Sequence, residues 1–556
     1  MQSFYSMKKS VCLLFTLLLG LTSIRSVFSQ TIADEQTGQF SWREGAEKQI
    51  ILTEENFGLV EEPGIIHAEP LLDYSDKSPF PEKYDARDFG YVTPVKNQKP
   101  YDLCWAESVL GMAESNLIKK GLADSSIDLS EVFAHYFQWF RLPDPLGLTA
   151  NDKNIWRAYE SYPGYFREWI NSWGSGYRAV LLFSGWPGLA TESTAPYPDA
   201  DADITHYTLD PDLAWNSSVA RLREANWISI RDAQAVKRLI MKRGSAVFAF
   251  YQNREKYLNP ENGAYYDPTF NYSNHLVNVI GWDDGYSADN FLTRPDVDGA
   301  WLVKNSFGTD WGNQGYFWLS YADKSISADA FIFDFEAIDP EVKTYQYDGT
   351  VSYDYLNDPT SQTIRAANIF TATDDEKLTG IGFLTPSSYF SYKIEIYRNV
   401  YDTPDSGILL SSQSGEELYS GYHTVELDHP ADLAAGDRFS VIVEINANSI
   451  GNAYIMTDRS ESYTVKDANG NEIIYQEFVS ASNPGESFYQ TKYGQWIDCW
   501  DPDPKLSMGN VRIKAFTRPA SYPESKSAES VYDYEPSFPI FYILDQGSRP
   551  QPVPHF

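Results

Sequence analysis

Between Cys104 and Gly121 the apolar positions fall at Val109, Leu110, Met112, Ala113, Leu117 and Ile118. This spacing predicts a helix with one apolar stripe, and Gly121 supplies its stop. A second helical pattern covers about 232–243 (DAQAVKRLIMKR), and Gly244 closes it before a strand-like run from Ala246 to Tyr251. Further strand-type runs follow at 275–282 and 300–304. Helices early and strands late predict an α+β domain with a helical half and a sheet half. After about Glu341 the texture changes to short alternating segments. Tyr392, Ile394 and Ile396 alternate with polar neighbours, as do Phe439, Val441, Val443 and Ile445. Other candidate strands are 379–384, 422–427 and 511–516. Many short strands with Gly, Asp and Pro turns between them predict an all-β sandwich.

The ends read differently. Lys8 and Lys9 precede an apolar run from Val11 to Leu21, and small residues follow up to Ser29. That order is expected of a secretory signal peptide over 1–29, and the run is shorter than the ~20 residues a spanning helix needs. The expectation is an exported protein, secreted or at the cell surface, with no transmembrane span in the mature chain. Residues 30–79 are acidic and aperiodic, a leader or short propeptide. From 519 to 556 the chain is a Pro/Ser-rich tail.

With 556 residues, 42% of them hydrophobic and 15% aromatic, the chain has ample core material for two domains. The net charge of −33 repels phosphates, so nucleic acid is excluded as a partner. Three cysteines cannot make a disulfide framework, and Cys12 lies in the signal segment. Cys104 and Cys499 remain, the latter read as a buried thiol.

Cys104 sits where its helix begins, and a helix N-terminus supplies partial positive charge that favours a thiolate. Taken alone, a small buried hydrophobe is the competing reading. The context, Val92-Thr93-Pro94-Val95-Lys96-Asn97-Gln98 and then Cys104-Trp105-Ala106, adds a glutamine whose amide can hold an oxyanion beside the Cys104 N–H. A base is also required. His67, His423, His429 and His555 lie in the leader, the β domain or the tail, which leaves His135, His206 and His275. His275 is favoured because it opens an apolar strand, Asn274-His275-Leu276-Val277-Asn278. Asn305, in Val303-Lys304-Asn305-Ser306-Phe307-Gly308, can orient its imidazole. Asp283, Asp284, Asp289, Asp296 and Asp298 cluster in a loop, but no complete Ca²⁺ ligand spacing appears. The reading is a solvated loop, with no metal and no cofactor.

These stretches, with Pro81 to Arg87, Leu129-Ser130-Glu131 and Thr309-Asp310-Trp311-Gly312-Asn313-Gln314-Gly315-Tyr316, resemble the papain family of cysteine peptidases over roughly 81–325. The resemblance implies an α+β papain-like two-lobed peptidase domain over 80–340, a helical lobe plus a β lobe. It also implies a Cys104/His275 pair, Asn305 as orienter and Gln98 as oxyanion donor, acting on a protein or peptide substrate. Gly174, Ser175 and Gly176 resemble the family's glycine-rich substrate segment, and Asn274 and Phe307 are further candidate substrate contacts. The chain departs from the family at Tyr101-Asp102-Leu103, at Glu107 (usually aromatic) and at Phe307 (usually tryptophan). His275 lies beyond the ~130–150 residues usual after this nucleophile, which implies an insertion. Most of it is placed at 133–173, either a wall of the cleft or a helical satellite of the core. Tyr345 to Thr517, through Ala366-Ala367-Asn368-Ile369-Phe370-Thr371-Ala372, Gly421-Tyr422-His423-Thr424-Val425 and Gly436-Asp437-Arg438-Phe439-Ser440-Val441, resembles the lectin-like β-sandwich of bacterial relatives, which implies such a domain over 341–518. A glycan is a candidate partner there if Tyr and Trp stack on sugar rings, against the alternative that they are sandwich core. The competing function is a surface adhesin or carbohydrate-binding protein with an inert papain-like domain. A glycoside hydrolase ranks last, because no carboxylate pair identifies itself.

Overall fold

The computed structural model describes residues 80–522 except 141, 143, 157–168, 173, 200–201, 203, 205–206, 217, 449–451, 467–471 and 504–506. The signal segment, the leader, the tail beyond 522, and His67, His206 and His555 lie outside the described residues.

The N-terminal part is built on helices α1 (Cys104–Lys119), α2 (Glu131–Trp139), α3 (Gly176–Ser184) and α4 (Ala233–Arg243). Three of them start on side-chain caps. Ser130 accepts from Phe133 N–H, Ser175 from Arg178 N–H and Asp232 from Ala235 N–H. Gly244, at φ 112°, ends α4 as the sequence predicts. Strands β1 (Ala220–Ser229), β2 (Ala246–Phe250), β3 (His275–Asp283), β4 (Ala300–Lys304), β5 (Tyr316–Ser320) and β6 (Asp329–Ala337) follow. They pair in the order β1-β6-β2-β3-β4-β5. Helix α1 is buried along Cys104–Leu117, on every side rather than along one stripe. It packs against both β3 and β6.

The C-terminal part holds β7 (Lys343–Tyr345), β8 (Thr363–Thr371), β9 (Glu376–Thr385), β10 (Phe390–Arg398), β11 (Ile408–Glu417), β12 (Ser420–Leu433), β13 (Arg438–Ala447), β14 (Ser487–Gln490), β15 (Trp496–Asp498) and β16 (Ile513–Pro519). One sheet runs β11-β10-β13-β8-β14-β15, and β7-β16-β9-β12 form the opposing layer. Their shared core includes Phe370, Ile381, Phe383, Ile394, Val441, Val443 and Ile513. Cys499 is buried in it. The second layer does not stop at the domain edge. Strand β12 pairs with β1 through Ser420–Trp227, Gly421–Asn226 and Tyr422–Ala225, so one 14-stranded sheet runs through both parts.

Candidate active site

Three elements converge on the thiol. Cys104 opens α1, and Leu103 before it makes no side-chain cap. The backbone N–H of Leu276, one residue past His275 on β3, donates to Cys104 Sγ at 3.5 Å. Asn305 follows the last residue of β4, and β4 runs antiparallel to β3, so pairing of the two strands sets Asn305 beside His275. His275 Nε2 donates to Asn305 Oδ1 at 2.7 Å. The neutral ring therefore carries its proton on Nε2, which makes Nδ1 its basic nitrogen. Ser306 N–H donates to the same Oδ1 at 2.8 Å and fixes the amide. Phe307 lies flat on the imidazole, with centroids 4.7 Å apart and an interplanar angle of 14°. His275 and Asn305 are both buried beside it.

Gln98 enters by the same route. Its N–H donates to Ser306 O at 2.8 Å and Gly308 N–H donates to Lys96 O at 3.0 Å, so residues 96–98 are tied to the segment that carries Asn305. Ser306 Oγ donates to Gln98 Oε1 at 2.8 Å, which turns the amide nitrogen the other way, where it donates to Tyr101 O at 3.2 Å. Cys104, His275, Asn305 and Gln98 are thus held in one hydrogen-bonded assembly.

Cys104 and His275 are each 0% exposed. Burial pushes the thiol well above its ordinary value, and Asp102 and Glu107 add to that, while N–H groups of Leu276 and Trp105 oppose it. Burial pushes His275 down to about 4, opposed by the Asn305 bond and helped by Lys99. Both shifts favour the neutral thiol and the neutral imidazole.

Beneath α1 lies a buried charge cluster that sequence reasoning missed. Lys96 Nζ reaches Glu114 at 3.0 Å, Glu131 at 2.8 Å and Asp128 at 2.6 Å. Lys304 Nζ donates to Thr93 Oγ1 at 2.9 Å, and Thr93 donates to Glu114. Burial and Glu131 hold Glu107 well above the carboxylate range. Glu107, Gly111, Asn278, Lys304 and Asn305 line a small cavity there. Nothing in the sequence marks these charges as buried: Lys96 stands in the polar stretch Lys96-Asn97-Gln98-Lys99, and Lys304 ends the apolar run Ala300–Val303 as a solvated residue would.

The other predicted residues are placed as follows. Gly174, Ser175 and Gly176 are buried; a Cβ on Gly174 would stand 2.6 Å from the Trp105 ring, and one on Gly176 would stand 2.2 Å from Phe331. Packing requires both glycines to be small, and Ser175 caps α3. Asn274 Oδ1 accepts from Gln252 N–H at 2.6 Å. His135 does not meet the thiol. It accepts from Trp105 Nε1–H at 3.0 Å and donates to Trp169 O at 2.8 Å, and burial pushes it down to about 3. In the acidic loop Asp284 pairs with Lys237, Asp289 with Arg294, and Asp298 accepts from Ala288 N–H.

Residues 80–133 and 171–332 match the family model described as Papain family cysteine protease, and 344–517 match the Lectin like domain. The break between the two papain-family segments begins inside α2, in the aromatic stretch read as an insertion. Cathepsin L2 of Homo sapiens is 29% identical over 260 residues, which cover 46% of this chain and 63% of that protein. Testin-2 of Mus musculus is 27% identical over 238 residues, 42% of this chain and 59% of that protein. Each alignment spans less than two thirds of the relative's own length. Among solved structures, the cysteine protease and lectin-like domains of Cwp84, a surface layer associated protein of Clostridium difficile, align with a TM-score of 0.61 at 25% identity. That alignment covers 79% of this chain and 89% of that one. A second structure of Cwp84, after propeptide cleavage, aligns with the same TM-score and identity over 79% of this chain and 99% of that one.

Proposed function

Since the chain carries a papain-family cysteine protease domain followed by a lectin-like domain, we propose that it is an exported cysteine peptidase in which Cys104 attacks the peptide carbonyl. The observation that carries this reading is the alignment of Cys104 Sγ, the start of β3 and the His275–Asn305 bond of 2.7 Å. The Cys104 thiol passes its proton to Nδ1 of His275, and the resulting thiolate adds to the substrate carbonyl carbon. Asn305 and Phe307 hold the imidazolium in place. The Cys104 N–H and the second proton of the Gln98 amide receive the oxyanion. Collapse expels the amine, which takes the proton from His275. Water, deprotonated by the same ring, then releases the acid from the thioester. Substrate contact by Gly174, Ser175, Gly176, Asn274 and Phe307 rests on the family resemblance.

The full burial of Cys104 and His275 supports a chain that works only after the site is opened. Residues 30–79 are proposed as the segment removed on activation, between a signal peptide over 1–29 and a peptidase domain over 80–340. Residues 341–518 would be the lectin-like domain, with a glycan as its candidate ligand, and 519–556 the tail. Export to the medium or the cell surface fits the surface layer association of Cwp84. No helix among the described residues is long and apolar enough to cross a membrane.

The test compares hydrolysis of a fluorogenic peptide by the processed chain and by Cys104→Ala. The expected loss is at least about 10³-fold with unchanged folding. Equal rates would overturn the reading. They would favour the inert-domain adhesin, which the burial of the thiol and the carboxylates of Asp102 and Glu107 support.

A further inference from the structure

Strands β1, β11 and β12 bring together three side chains that the peptidase chemistry does not use. His423, on β12, is 1% exposed, with its ring between Phe383 and Phe390 at centroid distances of 5.5 and 5.6 Å. Neither of its ring nitrogens has a hydrogen-bond partner among the described residues. A buried imidazole in that condition needs an explanation, since buried polar groups are nearly always paired. Its Nδ1 lies 3.9 Å from Glu224 Oε1 on β1 and 3.8 Å from Glu417 Oε2 on β11. Those separations are too long for hydrogen bonds. They are close to the spacing of atoms that share an ion, because bonds of ~2.0–2.2 Å put neighbouring ligands about 3.3–3.6 Å apart.

We infer that Glu224, Glu417 and His423 form a binding site for a divalent ion of the Zn²⁺ class that ties the papain-like part to the β-sandwich. The three ligand atoms lie within 4.8 Å of one another, and a few tenths of an ångström of closure brings the two His423 contacts to the spacing of neighbouring ligands. One imidazole with two carboxylates suits a borderline transition ion; Ca²⁺ and Mg²⁺ prefer all-oxygen shells. Glu224 and Glu417 are 25% and 32% exposed at their side chains, which leaves a path from solvent. Arg243 holds the other oxygen of Glu224 and fixes its orientation, and its own charge is shared with Asp334. The ion would reinforce a β1–β12 junction that consists of three residue pairs.

The experiment uses the full chain in a Cys104→Ala background, so that zinc on the catalytic thiol is not counted. After chelator treatment and dialysis against Zn²⁺, elemental analysis is expected to find one retained equivalent, lost in His423→Gln and in Glu417→Gln. Zn²⁺ should raise Tm by a few degrees in the parent only, and X-ray absorption should show nitrogen and oxygen neighbours without sulfur. If His423→Gln fails to fold, the half-buried Glu417→Gln decides, provided its metal-free Tm equals the parent's. No retained zinc, equal retention in both variants, a sulfur shell that points to Cys499, or an equal response to Ca²⁺ would each overturn the inference.

Discussion

Glu107 stands one turn along α1 from Cys104 and is buried beside Lys96, Lys304, Glu114 and Glu131. Its charge opposes ionisation of the thiol. Because its own pKa is raised, the neutral acid is the form the fold prefers; that contribution is full at low pH and is lost as pH rises through the elevated value. Glutamine mimics the neutral form. Glu107→Gln should therefore gain Tm over the parent by a margin that widens with pH, and Cys104 should be alkylated faster than in the parent only at pH values where Glu107 has lost its proton. Parallel Tm curves and equal alkylation rates would show instead that Lys96 and Lys304 already cancel the carboxylate. Cys104, His275 and Asn305 stand out as candidates in the sequence because each sits in a short motif at or beside the end of an element, and Gln98 because it lies six residues before Cys104. Lys96, Glu114, Glu131 and Lys304 do not, since a charged side chain reads as solvated until the fold shows what covers it.

Gly421 shows the same limit at the scale of elements. The runs around 422–427 and 232–243 predict a strand and a helix from their own periodicity, and the structure has both, as β12 and α4. Nothing in either run announces that β12 leaves its own sandwich and pairs with β1, almost two hundred residues earlier in the chain. That pairing requires φ 147° at Gly421, where a Cβ would stand 1.9 Å from the Ala225 carbonyl oxygen. Gly421→Ala should cost about 2 kcal/mol or more through strain and lost pairing. Chemical denaturation is expected to show it as a lower midpoint, and an unchanged midpoint would mean that the β1–β12 junction carries no stability. Helix α1 departs from its reading for a related reason. Its polar positions face Lys96, Lys304 and the β6 strand rather than water, so a stripe predicted from one sequence became a helix buried all round.

At the scale of the molecule, the buried ionisable groups set an expected pH profile. Burial raises Glu131 to about 7 and Asp152 to about 8, so the folded chain holds protons there that the unfolded chain has lost. Their stabilisation grows as pH falls from about 8.5. His135 and His275 act in the opposite sense. Held down to about 3 and about 4, they stay neutral while the unfolded chain takes up protons below ~6.5, so their stabilisation is lost on further acidification. Tm should be higher at pH 6.5 than at 8.5 and should decline again toward pH 4, with His135→Gln flattening part of that decline. A Tm that falls steadily from pH 8.5 to 6.5 would contradict the carboxylate half of the argument. The continuous sheet through β1 and β12 has a separate consequence for how such a chain would meet its surroundings. A module on a loose tether sweeps a volume and cuts whatever it meets, but a module welded to its anchor has a fixed bearing. If the β-sandwich grips a surface, the cleft would face one direction at one height, and a substrate would be chosen by where it stands before any of its side chains are read.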